Sequence, residues 1–535
     1  MGMKKSYSVL LLCVFLGIQT GVLGKVWAKS LSGTELFAKC YMQFTGLPLP
    51  LQHPWKLQIM AGTLRGEQAC VDLLDKAELN SQGMVSSDSE SKAVLNRIYE
   101  FHRSWFEVGV FNQMQNFAGG DVGHYGVAGT SDVLDSTEPA LAITYNLFSS
   151  SLPHYSQVLR TSSGFVAQRE VDPTINPSFT GNNQPYQLLF RSATNWNATT
   201  FSGSFPLAFP RIQKGELTGI KPQTQNIMVP DYWIDPPLSQ ASDTNLRARR
   251  ASLNTPGTPS EGSISSFNFF DSMGGGLLGF QSTMLLNWGH EDALLANGSL
   301  KLPRRWIKNM LNTMLCKELP VLREADVVAF VDSSGGPDVA PFREGTSCLQ
   351  CHGTLDQLAM VGRNFTVART EPGNGQRVSG GGRKSAAEPN GITSRNSYVM
   401  GRYSVISDPG YSWSSTPVAN FHRSQPRGKV YLRTFSGALV NQPVNGLAEA
   451  GAALSNIDDF YQCAAKRYFE YLTGNEVLLY DRGDSRFANV TKSLSTEAIR
   501  NRLFIEKLSR ELKATGSLRS LIKSILQSEY YTESK

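Results

Sequence analysis

Between positions 87 and 106, apolar residues fall three and four apart: Val94, Ile98, Phe101 and Trp105. A helix turns once in 3.6 residues, so these side chains share one face, and the Ser and Asp residues ahead of them supply capping groups. The whole of 29–118 reads as helical. A similar stripe at 302–319 contains Trp306, Met310, Met314 and Leu315, with Pro303 suited to a first helical turn. Three more follow at 456–472, 495–512 and 517–531, and in the last Leu518, Leu521, Ile522, Ile525 and Leu526 line one side.

The segment 119–235 is different. It is rich in Gly, Ser, Thr, Asn, Pro and aromatics and has no helical period, which predicts irregular structure with some short strands. Segments 239–266 and 366–396 read as long loops. The second holds Ser379-Gly380-Gly381-Gly382-Arg383-Lys384, a flexible basic loop rather than a phosphate cradle, because no strand–helix context frames it. The expected fold class is therefore mainly α and multi-helical, with long irregular loops and short strands in the middle. The regions are 1–28 (signal peptide), 29–118 (helical), 119–265 (loop-rich), 266–340 (helical), 341–440 (haem-binding) and 441–535 (helical).

The first 28 residues read as an export signal. Lys4 and Lys5 precede an apolar run over 9–18, and Val26-Trp27-Ala28 offers a cleavage site, with Val22-Leu23-Gly24 as a rival. Such a run is shorter than the roughly 20 apolar residues a membrane span requires. No membrane span is expected after cleavage, and the location implied is the bacterial periplasm. Composition, 41% hydrophobic and 18% charged, is that of an ordinary folded chain. The net charge of +6 comes partly from the signal: removing Lys4, Lys5 and Lys25 from 51 bases leaves 48 against 45 acids, or +3. That excess gives no argument for nucleic acid as a partner.

Seven cysteines include Cys13 in the signal. Two of the rest, Cys348 and Cys351, frame Cys348-Leu349-Gln350-Cys351-His352. Two Cys separated by two residues and followed at once by His is the spacing of covalent c-type haem attachment. The thiols form thioethers to the two vinyl groups, and the adjacent His ligates the iron. A redox dithiol is the competing reading but lacks a thioredoxin-like βαβ context, and half a zinc site lacks a second close ligand pair. The expected cofactor is one covalent haem c. Met400, 48 residues beyond His352, is the candidate distal ligand. His422 is the imidazole alternative, and an open or water-bound position is the third. Cys40, Cys70, Cys316 and Cys463 remain, an even number that fits disulfides in an exported protein. Cys40–Cys70, being local, and Cys316–Cys463 are the favoured pairs of the three pairings allowed, with four free thiols as the alternative.

Hydrolase-type motifs (Gly-x-Ser-x-Gly, His-Glu-x-x-His and the phosphate loop) are absent from the sequence. Further boxes surround the haem motif. Gly275-Gly276-Leu277-Leu278 is followed by Arg304-Arg305-Trp306 through Leu315-Cys316, and then by the motif with its extension Gly353-Thr354-Leu355-Asp356-Gln357-Leu358. Phe435-Ser436-Gly437, Gly446-Leu447, Phe460-Tyr461-Gln462-Cys463 with Tyr471-Leu472-Thr473-Gly474, and a terminal helix over 518–530 complete the series. In this order, 274–531 resembles the C-terminal half of the large cytochrome c-like proteins of planctomycetes and of predatory or soil proteobacteria, whose domains mostly have no assigned function. Gln357 stands where that family has Pro and Asn475 where it has Arg, and the first 240 residues match only vaguely. The resemblance implies a mainly helical, exported haem protein and supplies no reaction. The functional expectation is a periplasmic monohaem cytochrome-like protein that transfers single electrons to an unidentified redox partner. The alternatives are a haem enzyme (a peroxidase or dehydrogenase subunit, with His422 or Arg402 in the distal pocket) and an envelope interaction protein with a structural haem, which would bind other envelope proteins through 119–300.

Overall fold

The computed structural model describes residues 30–106, 138–170, 188–191, 207–210, 216–223, 232–234, 267–269, 274–280, 283, 295–333, 345–362, 365–370, 377–378, 397–402 and 426–533. The expected signal segment 1–28, the loop 239–266 and His422 lie outside them.

The chain begins with helices α1 (Gly33–Thr45), α2 (Pro54–Met60), α3 (Gly66–Asp75) and α4 (Ser89–Ser104). α1 opens on a capping box: Ser32 Oγ accepts the Glu35 N–H, and Glu35 accepts the Ser32 N–H at 2.7 Å. It closes on Gly46, whose φ of 73° is the left-handed conformation glycine adopts without strain. α4 starts where Asp88 accepts the Ser91 N–H at 2.9 Å, and it buries Val94, Leu95, Ile98 and Tyr99. The Cys40–Cys70 disulfide joins α1 to α3.

Helix α5 (Glu138–Phe148) corrects the reading of 119–235 as lacking helix. Ten of its eleven residues are buried, so no polar face interrupts the apolar one, and a sequence without alternation carries no helical period. Short strands do follow, as expected. They are β1 (Gly164–Arg169), β2 (Leu188–Arg191), β3 (Leu207–Pro210), β4 (Leu217–Gln223), β5 (Tyr232–Ile234) and β6 (Phe267–Phe269). They pair antiparallel as β1 with β4, β2 with β3, and β5 with β6.

Helix α6 runs over Leu295–Leu315, so Pro303 sits inside it rather than in a first turn, and the helix ends before the expected residue 319. The stop has a local cause. Cys316 takes a left-handed φ of 50°, and the Lys317 N–H turns back to the Leu311 carbonyl, six residues earlier, at 3.1 Å, which closes the helix end. Then come α7 (Glu324–Ser333) and α8 (Thr346–Ala359), which carries the haem motif. β7 (Phe365–Thr370), β8 (Arg377–Val378) and β9 (Ser397–Arg402) form a three-stranded sheet of order β8-β7-β9, which corrects the loop reading at 366–370 and 377–378; residues 371–376 and 379–396 lie outside the described residues. Phe365-Thr366-Val367 is β-branched and aromatic, a composition that favours strand. β10 (Arg427–Arg433) and β11 (Leu439–Asn445) make a hairpin, and α9 (Gly446–Ser455), α10 (Asp458–Thr473), α11 (Ala488–Lys492), α12 (Thr496–Thr515), α13 (Leu518–Leu526) and α14 (Glu529–Thr532) finish the chain. The stripe expected over 517–531 is thus divided between α13 and α14.

α10 is the centre of the fold. Phe460, Cys463, Ala464, Ala465, Tyr468, Phe469 and Leu472 are all buried, with the two alanines letting neighbouring helices approach closely. The buried core reaches from Leu36 to Tyr531 as one cluster. The first and last helices therefore meet. Tyr531 donates to Gln43 at 2.7 Å, Gln43 donates to the Leu472 carbonyl at 2.9 Å, and Phe101 stacks on Tyr471 with ring centres 4.0 Å apart. At the heart of this junction lies His102, which is fully buried. Thr144 gives its hydroxyl proton to the Ala140 carbonyl, so its oxygen accepts from His102 Nδ1–H at 2.7 Å and leaves Nε2 to accept from Tyr468 at 2.5 Å. Burial drives the His102 imidazole down to about 3, so the ring is neutral.

The second disulfide, Cys316–Cys463, ties the end of α6 to α10. Next to it Lys317, 5% exposed, meets Asp459, 0% exposed, at 2.8 Å. Burial lowers the ammonium and raises the carboxyl, while each partner's charge pulls the other way. Asp459 also accepts the Phe435 N–H at 3.1 Å. Among the described residues no helix is long and apolar enough to cross a membrane.

Candidate haem-attachment site

Helix α8 has two faces. Leu349, Gly353, Thr354, Leu355 and Leu358 are buried. Leu349 packs with Leu322, Val327 and Tyr431, and Thr354 donates its hydroxyl to the Tyr431 carbonyl. Strand β10 lies against the helix at a distance only glycine permits, since a Cβ on Gly428 would stand 2.3 Å from the Gln357 carbonyl oxygen. Tyr431 in turn donates to the Asp326 carbonyl at 3.0 Å, and Asp326 holds the Arg433 guanidinium. These contacts set the rotation of α8 and so decide which residues face outward.

Of the motif, Leu349 is buried and Cys351 packs partly against the core. Cys348 is exposed, Cys351 and His352 are partly exposed, and both thiols are free. Positions i, i+3 and i+4 share one helical face, so two thiols and an imidazole stand together on it. Burial pushes the Cys351 thiol up, the charges of Arg486 and Lys308 draw it back, and Cys348 adds to the rise.

The imidazole is not free to turn. Its Nδ1 lies 3.3 Å from Asp356 Oδ1, one turn further along α8. Asp356 is gripped in turn by Arg304 of α6, whose Nε donates to Oδ1 and whose Nη2 donates to Oδ2 at 3.0 Å. Asp356 is 11% exposed and Arg304 20%, so the pair is shielded from water. Sequence reasoning placed Asp356 only within a box and assigned Arg304 no role at the site. The His-to-Asp spacing of four on a helix was a usable signal, whereas the Arg304 contact spans 52 residues and had none.

A c-type haem is the group the motif implies, and the donor set fits it: two unbonded thiols and an imidazole within one helical turn, the imidazole held at Nδ1 by a carboxylate. Met400 lies in β9 opposite Val367 of β7, and its side chain is outside the described residues. Met360 caps the C-terminal end of α8. Among the described residues no three His, Cys, Asp or Glu side chains gather as a metal cluster.

Compared with known proteins, the chain matches no family model, no curated protein and no solved structure.

Proposed function

We propose that the chain is an exported monohaem c-type cytochrome-like protein of the bacterial periplasm that passes single electrons to and from a redox partner. The reading is supported by one observation above all: Cys348, Cys351 and His352 stand within one turn of α8 and are at least partly exposed, with both thiols free while the other four described cysteines are bonded. Haem bound there supplies a one-electron iron couple. Cys348 and Cys351 anchor it through thioethers, His352 holds the iron, and Met400 is the proposed distal ligand. The buried face of α8 keeps the three groups on a rigid element, as an attachment site requires. The ultraviolet–visible spectrum of protein matured with haem-attachment machinery, recorded in both oxidation states, tests the assignment. A c-type spectrum with six-coordinate His/Met iron supports it in full. A protein without a haem band overturns it.

The carboxylate behind His352 favours a second reading, a haem enzyme of the peroxidase kind, because a stronger proximal donor supports higher oxidation states of iron. Spectral change on adding peroxide to the ferric protein would favour the enzyme, and an inert six-coordinate iron would favour the electron carrier.

A further inference from the structure

The arrangement behind the motif uses three residues from two helices. His352 and Asp356 are one turn apart on α8, and Arg304 reaches them from α6. Asp356 offers two oxygens, and Arg304 binds both of them. A two-point grip by a planar guanidinium fixes the plane of a carboxylate, which a single bond does not. Oδ1, the oxygen nearer His352, is thereby held toward the imidazole Nδ1. The grip is strongly shielded at Asp356 and only partly open at His352, whose side chain is 27% exposed.

We infer that Arg304 and Asp356 are positioning residues that set the ring orientation of His352 and tune the iron couple toward the oxidised form. The inference rests on the haem reading given above. An Nδ1–H directed to a carboxylate oxygen makes the other ring nitrogen a stronger donor, and a stronger donor stabilises ferric over ferrous iron. Asp356 thus does for the ring what a backbone carbonyl does more weakly, and Arg304 keeps the carboxylate from swinging away. The effect is one of hydrogen bonding and ring orientation.

The test uses the full matured chain and two substitutions. Asp356→Asn replaces the carboxylate by a weaker acceptor. Arg304→Lys keeps the total charge and removes the two-point grip. Covalent haem content, measured after denaturation, should equal wild type in both variants. The one-electron reduction equilibrium of Asp356→Asn should move at least about tenfold toward the ferrous state, which is 59 mV for a one-electron couple. Arg304→Lys should move it less and in the same direction. The hyperfine-shifted Nδ1 proton of His352 in the ferric protein should shift and exchange faster with deuterium oxide in both. A merely structural ion pair would leave that proton unchanged. Potentials within twofold of wild type in both variants would overturn the inference, as would a shifted potential with an unchanged Nδ1 proton, since charge alone would then account for it. Absence of haem from the wild-type protein would instead overturn the underlying reading, and is told apart by the haem content itself.

Discussion

The chain holds two kinds of cysteine. Cys40, Cys70 and Cys463 are buried, and together with Cys316 they form two disulfides, whereas Cys348 and Cys351 on α8 are unbonded, the first exposed and the second partly so. Around Cys316–Cys463 the structure is over-determined. The disulfide, the Lys317–Asp459 pair and the closing bond of α6 all converge on the same turn. Around Cys348 and Cys351 the helix is fixed by its buried side and by the Arg304–Asp356 grip on His352, while the two thiols stay unbonded and at least partly exposed. The contrast separates cysteines that hold the fold from cysteines the fold presents.

Substitutions should break or sharpen that contrast. The largest effect is expected at Lys317→Met, which leaves Asp459 buried without its counter-charge and should cost about 3–5 kcal/mol in denaturant unfolding. Replacing Cys316 and Cys463 together by Ser opens a loop of 147 residues and should cost about 2–5 kcal/mol. A loss below about 1 kcal/mol in either case would mean that the junction is less locked than the geometry shows.

A third prediction concerns pH. The His102 imidazole is held at about 3 by burial, against 6.5 for an exposed ring. Below 6.5 the unfolded chain takes up a proton that the folded chain refuses, so stability falls as pH drops from about 6.5 toward 3 and this contribution is flat above 6.5. The slope from this one group is about 1.4 kcal/mol per pH unit. His102→Gln should flatten the unfolding-versus-pH curve in that interval, and an unchanged slope would contradict the assigned neutral state. The smallest effect belongs to Cys348→Ala with Cys351→Ala. In protein without haem it should change stability by about 1 kcal/mol or less, because Cys348 is exposed and Cys351 only partly buried, and neither is bonded.

How much of this was legible beforehand depended on contrast along the sequence. Helix α4 and the C-terminal helices announced themselves because each has one buried side, as with Leu518, Leu521, Ile522 and Ile525 in α13. α5 was invisible because it is buried all round, and α6 was misplaced because its end is set by Cys316, whose left-handed turn no periodicity encodes. Counting cysteines with the motif pair set aside left three pairings open, and the favoured one, with the local pair Cys40–Cys70, is the one observed. At the candidate site, spacing alone singles out Cys348, Cys351 and His352. Arg304, by contrast, meets Asp356 only through the packing of α6 on α8, a tertiary contact that local pattern does not carry.

The central claim is that Cys348 and Cys351 carry haem covalently. It is tested most directly by the intact mass, under denaturing conditions, of the chain produced with haem-maturation machinery. The account predicts a mass greater than that of the polypeptide by one haem, lost in the Cys348→Ala, Cys351→Ala double variant. An unmodified mass for the wild-type chain, with a control cytochrome fully matured in the same cells, would contradict it.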